Sequence, residues 1–219
     1  MDEKVKSPII ISGVPRSRTS LVTGLFHICG LQLGNTCGIT PNNRKGQFEN
    51  REIIDKIEKT HLSNIGADTM GQWSLPDTLN IPQDKDRRGR TLHIMNKHNV
   101  NTAKHWGFKD AKAVLTFPCW LDAFPNSIWV IIHRKKIDIA KSCERTSFMK
   151  KRKDWSNYVD EYRERLDLLK GRHDKVYEIN SDELVAYNLD KFEYIIKKLD
   201  LNWEPEKVEE FIDPKETHI

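Results

Sequence analysis

The segment Gly13-Val14-Pro15-Arg16-Ser17-Arg18-Thr19-Ser20 gathers residue types suited to holding an anion, directly after the apolar run Ile9-Ile10-Ile11. Glycine and proline turn the chain sharply, and the residues after them open a helix. The first N–H groups of a helix have no intrahelical partner and the helix dipole adds partial positive charge, so a phosphate or sulfate fits there. Arg16 adds a fixed charge inside the loop. A Walker-type register can be laid on the segment with Gly13 first and Thr19-Ser20 last, but that motif requires Gly-Lys ahead of its hydroxyl residue. Those places hold Arg18 and Thr19. The missing lysine argues against an ATPase or GTPase and for a different group-transfer donor.

A second anion site is encoded by Trp129-Val130-Ile131-Ile132-His133-Arg134, an apolar strand that delivers an arginine at its carboxyl end, with Ser142 eight positions further on in the following helix. Open α/β sheets bind ligands at the carboxyl ends of their strands. Arginine's planar fork matches phosphate oxygens, so Arg134 and Ser142 can converge on one phosphate. Two anion sites then flank one ligand. As bases, His61 and His105 carry imidazoles that titrate near neutrality. The eight histidines are scattered and no carboxylate or cysteine pair has ligand spacing, so no metal is implied.

The elements that must place these residues follow from the apolar pattern. Short buried-type runs predict strands at 8–12, 106–109, 127–133 and 176–179. Apolar residues at three- and four-residue steps predict helices at 18–28, 50–65, 111–123, 154–169 and 189–199, and another from Ile137 through Ser142. A weaker helix spans 84–98, Ser181 caps a short turn, and a last short helix lies between Pro205 and Pro214. Residues 31–48 read as a loop, 66–101 as a lid or substrate-side insertion, and 31–100 together as the acceptor side. The aromatic stripe Trp155, Tyr158 and Tyr162 reads as core. Alternating strands and helices predict an α/β chain with a central parallel sheet in a three-layer sandwich, as one domain over 1–219.

The 219 residues are 37% hydrophobic, enough for one core. No apolar run approaches the ~20 residues that cross a bilayer, and the charged residues 1–6 lead straight into a core strand with no cleavable signal pattern. A soluble, cytoplasmic protein without a membrane partner is expected. With 36 basic against 32 acidic residues, the net charge of +4 is too slight to imply nucleic-acid binding. The basic runs 87–90 and 150–153 read as solvated faces. Cys29, Cys37, Cys119 and Cys143 read as reduced, structural thiols.

Taken together, these segments resemble the sulfotransferase family that uses 3′-phosphoadenosine 5′-phosphosulfate (PAPS). Residues 13–20 are similar to the family's GxPRSGTS loop, which implies that they cradle the 5′-phosphosulfate. Arg134 and Ser142 match the arginine and serine that grip the 3′-phosphate, and Trp106-Gly107-Phe108-Lys109-Asp110 resembles the Lys-Asp-Pro segment of bacterial and tyrosylprotein members. The resemblance runs from Ile9 to about Pro214 and implies a P-loop NTPase-like fold.

It further implies PAPS as donor and PAP as product, with Arg16 and Lys109 stabilising the transferring group and the departing phosphate. The backbone N–H groups of 15–20 and the hydroxyls of Ser17, Thr19 and Ser20 complete the cradle. Glu49, in the loop after the first βα unit, is the implied base for a hydroxyl or amine acceptor. Arg18 replaces the family's loop glycine, which fits if that position has ordinary helical dihedrals. Lys109-Asp110-Ala111 lacks the family proline, and Arg145 is only a rough counterpart of a later family arginine. No adenine contact is carried from Ser181-Asp182-Glu183-Leu184. Against this reading stand a P-loop kinase of nucleotides or small molecules and a non-catalytic protein that binds nucleotides or sulfated glycans.

Overall fold

The computed structural model describes residues 5–40 and 44–212. Pro214, Pro41 and the start of the charged N-terminus therefore lie outside the described residues. Four strands form one all-parallel sheet: β1 (Ile9–Gly13), β2 (Gly107–Lys109), β3 (Ile128–His133) and β4 (Val176–Asn180), in the order β2-β1-β3-β4. All four match the predicted runs to within a residue or two. Gly107 permits the closest approach between β1 and β2, because a Cβ there would lie 2.0 Å from the Ile9 carbonyl oxygen.

Alternation along the strands divides the core into two layers. Ile10, Phe108, Trp129 and Ile131 face one side, under Trp120, Tyr158, Tyr162 and Leu166. Ile9, Ile11, Val130 and Ile132 face the other, under Val22, Leu25, Phe26, Phe192 and Ile195. With both faces covered, β1 and β3 read as nearly continuous apolar runs, whereas the edge strand β4 is mostly half-buried. The helices are α1 (Thr19–Ile28), α2 (Arg51–Ile53), α3 (Thr60–Asn64), α4 (Arg87–Lys97), α5 (Phe117–Ala123), α6 (Lys136–Arg145), α7 (Trp155–Lys170), α8 (Ser181–Val185), α9 (Asp190–Lys198) and α10 (Pro205–Phe211). The stripe on α7 is core, as expected.

Four expectations need correction. The helix over 50–65 opens at Asn50, whose side chain accepts from the Ile53 N–H at 3.3 Å, but its middle, Ile54–Lys59, is π-helical. The helix over 111–123 starts as a 3₁₀ segment, Ala111–Thr116, and turns α-helical only from Phe117. Asn180 rather than Ser181 caps α8, its side chain accepting from the Asp182 N–H. Finally, the basic run 87–90 is a solvated face only in part: Arg88 and Gly89 are exposed, but its first residue is not. Arg87 is fully buried. It donates to Glu58 Oε2 (3.1 Å), Thr116 Oγ1 (3.0 Å) and Asp84 Oδ2 (3.1 Å), and stacks 4.5 Å from the Trp120 ring centre. This network ties the insertion to the body of the sheet through α5.

Candidate active site

The chain leaves β1 at Gly13, where a Cβ would lie 2.6 Å from the Ile132 carbonyl oxygen of β3, so only glycine lets the loop emerge between the two strands. Arg16 (φ 74) and Arg18 (φ 66) are both left-handed. Alternation of that kind turns backbone N–H groups towards one concavity and makes an anion nest. The expectation of helical dihedrals at Arg18 is thus overturned: the position has the conformation that glycine adopts freely, and a side chain there costs about 1–2 kcal/mol. Contacts outside the loop offset the strain. Arg18 pairs with Asp182, which also accepts from the Lys135 N–H at 2.9 Å, and Arg134 Nη1 donates to the Arg16 carbonyl at 3.0 Å.

Thr19 starts α1, whose N-terminus has no side-chain cap and no acidic residue in its first turn. Its leading N–H groups therefore have no capping side chain, and Thr19 and Ser20 of that first turn line the cavity beside the nest. Two parts of the expected cradle do not take part. Pro15 has no N–H, and the Ser17 N–H is spent on the Val14 carbonyl at 3.0 Å. The Ser17 hydroxyl is buried without a partner, packed behind Gly13.

A cavity of about 410 Å³ opens at the carboxyl ends of β1, β2 and β3. Pro15, Arg16, Arg18, Thr19 and Ser20 face it from the loop and the start of α1. Lys109 reaches it from β2, Arg134 from the end of β3, Ser142 from α6 and Glu49 from the loop before α2. Gly13, Val14 and Ser17 lie beneath the floor and do not line it. His61 and His105 are elsewhere. His61 is buried beside Asp84 and Cys119, and His105 sits near Lys6 and Asp200 ahead of β2.

Within the cavity Arg16 Nε donates to Ser142 Oγ at 3.1 Å, joining the two predicted anion sites. The Lys109 ammonium has all three donors engaged: Ser20 Oγ at 3.0 Å, the Gln47 carbonyl at 2.9 Å and Glu49 Oε1 at 2.9 Å. Burial would raise the Glu49 carboxyl, but the ammoniums of Lys109, Lys112 and Lys59 outweigh it and hold the group below its usual value. Burial lowers both Arg16 and Arg134, which nonetheless stay cationic. Among the described residues neither makes an ion pair, and the buried Nε of Arg134 has no partner.

Eight lysines and arginines line the cavity against one carboxylate, Glu49, so the site suits a polyanion. Sequence reasoning missed two of its supports. Lys112, bonded to Asp110 Oδ1 at 3.0 Å, lines the cavity two positions beyond that carboxylate, a spacing readable only once the 3₁₀ turn is known. Burial would lower its ammonium, but Asp110 and Glu49 raise it. Asp182 anchors Arg18 from α8, far along the chain, and nothing local marks the pair.

No family model matches the sequence, and a search of curated proteins finds no match. Solved structures do match. Sulfotransferase STF1 from Mycobacterium tuberculosis aligns with TM-score 0.57 and 15% identity over 96% of this chain and 72% of that one. STF9 from Mycobacterium avium aligns with TM-score 0.60 and 13% identity, over 96% and 68%. The sulfotransferase domain of the Synechococcus olefin synthase aligns with TM-score 0.58 and 13% identity, over 97% and 78%. This is the sulfotransferase fold. Within the sulfotransferase fold, the carboxyl edge of the sheet is where this chain gathers its cations.

Proposed function

We propose that the chain is a sulfotransferase that moves a sulfuryl group from PAPS to a hydroxyl or amine acceptor by in-line transfer. The observation that carries this reading is the convergence of Arg16, Lys109, Arg134, Ser142 and Glu49 on one cavity from five separate segments. PAPS would supply an activated sulfuryl group and a 3′-phosphate handle. The unpartnered buried Nε of Arg134 fits that phosphate, since a buried donor without a partner is costly unless a ligand satisfies it. Ser142 adds a hydroxyl beside it.

The nest and the uncapped start of α1, with Thr19 and Ser20, hold the 5′ end of the donor. Arg16 and Lys109 stabilise charge as it develops on the departing phosphate, where alignment and electrostatics matter more than covalent catalysis. Glu49, ionised at neutral pH, accepts the acceptor's proton. Residues 31–100 supply the acceptor side, consistent with Ile54, Lys59 and Met70 on the same cavity. The free cysteines fit the cytoplasm.

Calorimetry with PAP, ATP and a sulfated oligosaccharide, followed by turnover of PAPS with an acceptor panel, tests the proposal. Tight PAP binding with turnover is expected. Preference for ATP would point instead to a kinase, and oligosaccharide binding without turnover to a binding protein.

A further inference from the structure

The loop that carries Glu49 cannot hold its own shape. Residues 44–49 belong to no helix or strand, and both Gly46 (φ 109) and Phe48 (φ 53) are left-handed. For an aromatic residue that conformation is strained, and it persists only where the surroundings over-determine it. Backbone support comes from Cys37, whose carbonyl accepts from the Gln47 and Phe48 N–H groups at 3.2 and 3.3 Å and whose N–H donates to the Glu49 carbonyl at 2.8 Å. The Gln47 N–H also donates to the Gly38 carbonyl at 3.1 Å and its side-chain amide to Thr40 Oγ1, and the loop bonds the Lys109 ammonium. Its remaining contacts lead to α1 and to the last helix. The Phe48 ring meets Phe211 edge-on with centroids 6.0 Å apart. The Lys45 ammonium donates to the Phe211 carbonyl and lies 5.0 Å from the centre of its ring. On its other side the Phe211 ring rests on α1 at Gly24, where a Cβ would come within 2.6 Å of two ring carbons. Phe211 therefore packs on both the helix behind the anion nest and the loop that presents Glu49. It does so beside a direct contact of Phe48 with α1, where a Cβ at Gly24 would lie 3.0 Å from Phe48 Cε2 and the His27 ring lies 6.3 Å from the Phe48 ring, centre to centre.

We infer that Phe211 is a positioning residue for the transfer reaction: wedged between Gly24 and Phe48, it sets where Glu49 and the Gln47 carbonyl meet Lys109. The inference rests on the reading of Glu49 as the base. Phe211 touches neither donor nor acceptor, so its loss displaces the base while the nest, Arg134 and Ser142 keep their places. Displacement of a reacting group by an ångström costs about a hundredfold in rate.

The test compares Phe211→Ala, Phe211→Tyr and Gly24→Ala in the full chain, with Glu49→Gln alongside. Phe211→Ala is expected to lower kcat about ten- to a hundredfold, to leave PAP affinity within about twofold, and to speed amide hydrogen exchange at Gln47, Phe48 and Cys37. Phe211→Tyr keeps the ring and should restore kcat. Gly24→Ala pushes from α1 on the Phe211 ring and, less closely, on Phe48 Cε2 at 3.0 Å, so it should displace the same loop and reproduce the alanine phenotype; its helix-favouring methyl makes it a second variant where Phe211→Ala does not fold. Unchanged kcat and exchange in folded Phe211→Ala and Gly24→Ala would overturn the inference, as would equal losses in kcat and PAP affinity. Full turnover by Glu49→Gln would instead remove the base assignment, and the exchange data would still judge whether Phe211 holds the loop.

Discussion

PAP and AMP differ only in the 3′-phosphate, so the ratio of their affinities isolates the group that Arg134 is proposed to hold. Arg134 is 6% exposed; its Nη1 is committed to the Arg16 carbonyl at 3.0 Å, and its Nε is buried without a partner. A hydrogen bond to a charged group contributes about 1.5–3 kcal/mol. At 1.4 kcal/mol per tenfold, losing one such bond in Arg134→Ala should reduce the PAP/AMP preference by about 10- to 150-fold. Affinity for AMP will also fall somewhat, because the bond that steadies left-handed Arg16 is lost, and the ratio removes that shared part. Calorimetry at one fixed salt concentration, on variants whose folding is checked by circular dichroism, measures both affinities. Arg134→Lys keeps the charge without the planar fork and should recover only part of the preference. A folded Arg134→Ala protein with the wild-type ratio would refute the assignment.

Lys109→Met should lower kcat by about a hundredfold or more while changing PAP affinity far less, because the charge it meets develops in the transition state; stopped-time sulfation assays and calorimetry separate the two. Glu49 is held below the ordinary carboxyl value of 4.5, so its active, ionised form persists above its own pKa and is lost only as pH falls through it. The acid limb of kcat/KM should therefore lie below pH 4.5 and vanish in Glu49→Gln, and a limb near neutrality would point to another group. Arg87→Met strands the buried Glu58 carboxyl, already pushed up by burial, and should cost about 3–5 kcal/mol in urea denaturation. Adding Glu58→Gln should recover much of that loss, and strict additivity of the two substitutions would show that the pair does not interact.

The two central strands, β1 and β3, were legible because each is buried on both faces, so Ile9-Ile10-Ile11 and Trp129-Val130-Ile131-Ile132 appear as unbroken apolar runs whatever lies beside them. Site positions were legible because they stand at strand ends: Arg134 follows β3, the loop after Gly13 follows β1, and Lys109 closes the short β2. What depends on distant partners was not. Arg87 looks like any basic residue until Glu58 and Trp120, far off in the chain, are brought against it. The left-handed backbone at Arg18 is tolerated because Asp182 holds the side chain, and no local pattern records that. His61 and His105 drew notice for their chemistry alone, without a strand end to carry them to the cavity. The π-helical turn at Ile54–Lys59 keeps the apolar spacing of an ordinary helix closely enough to be read as one.

The bond between Arg16 and Ser142 joins residues 126 positions apart, and the two sit beyond β1 and β3, the central pair of the sheet. No fragment shorter than that span contains the pair. A chain in which these two strands have not yet paired has only scattered cations, so a polyanion that fits the completed cavity discriminates the native state from every partly assembled one. By mass action such a ligand at a hundred times its dissociation constant adds about 2.7 kcal/mol to global stability. The same separation makes completion of the cavity depend on long-range pairing of β1 with β3, the kind of contact that slows folding.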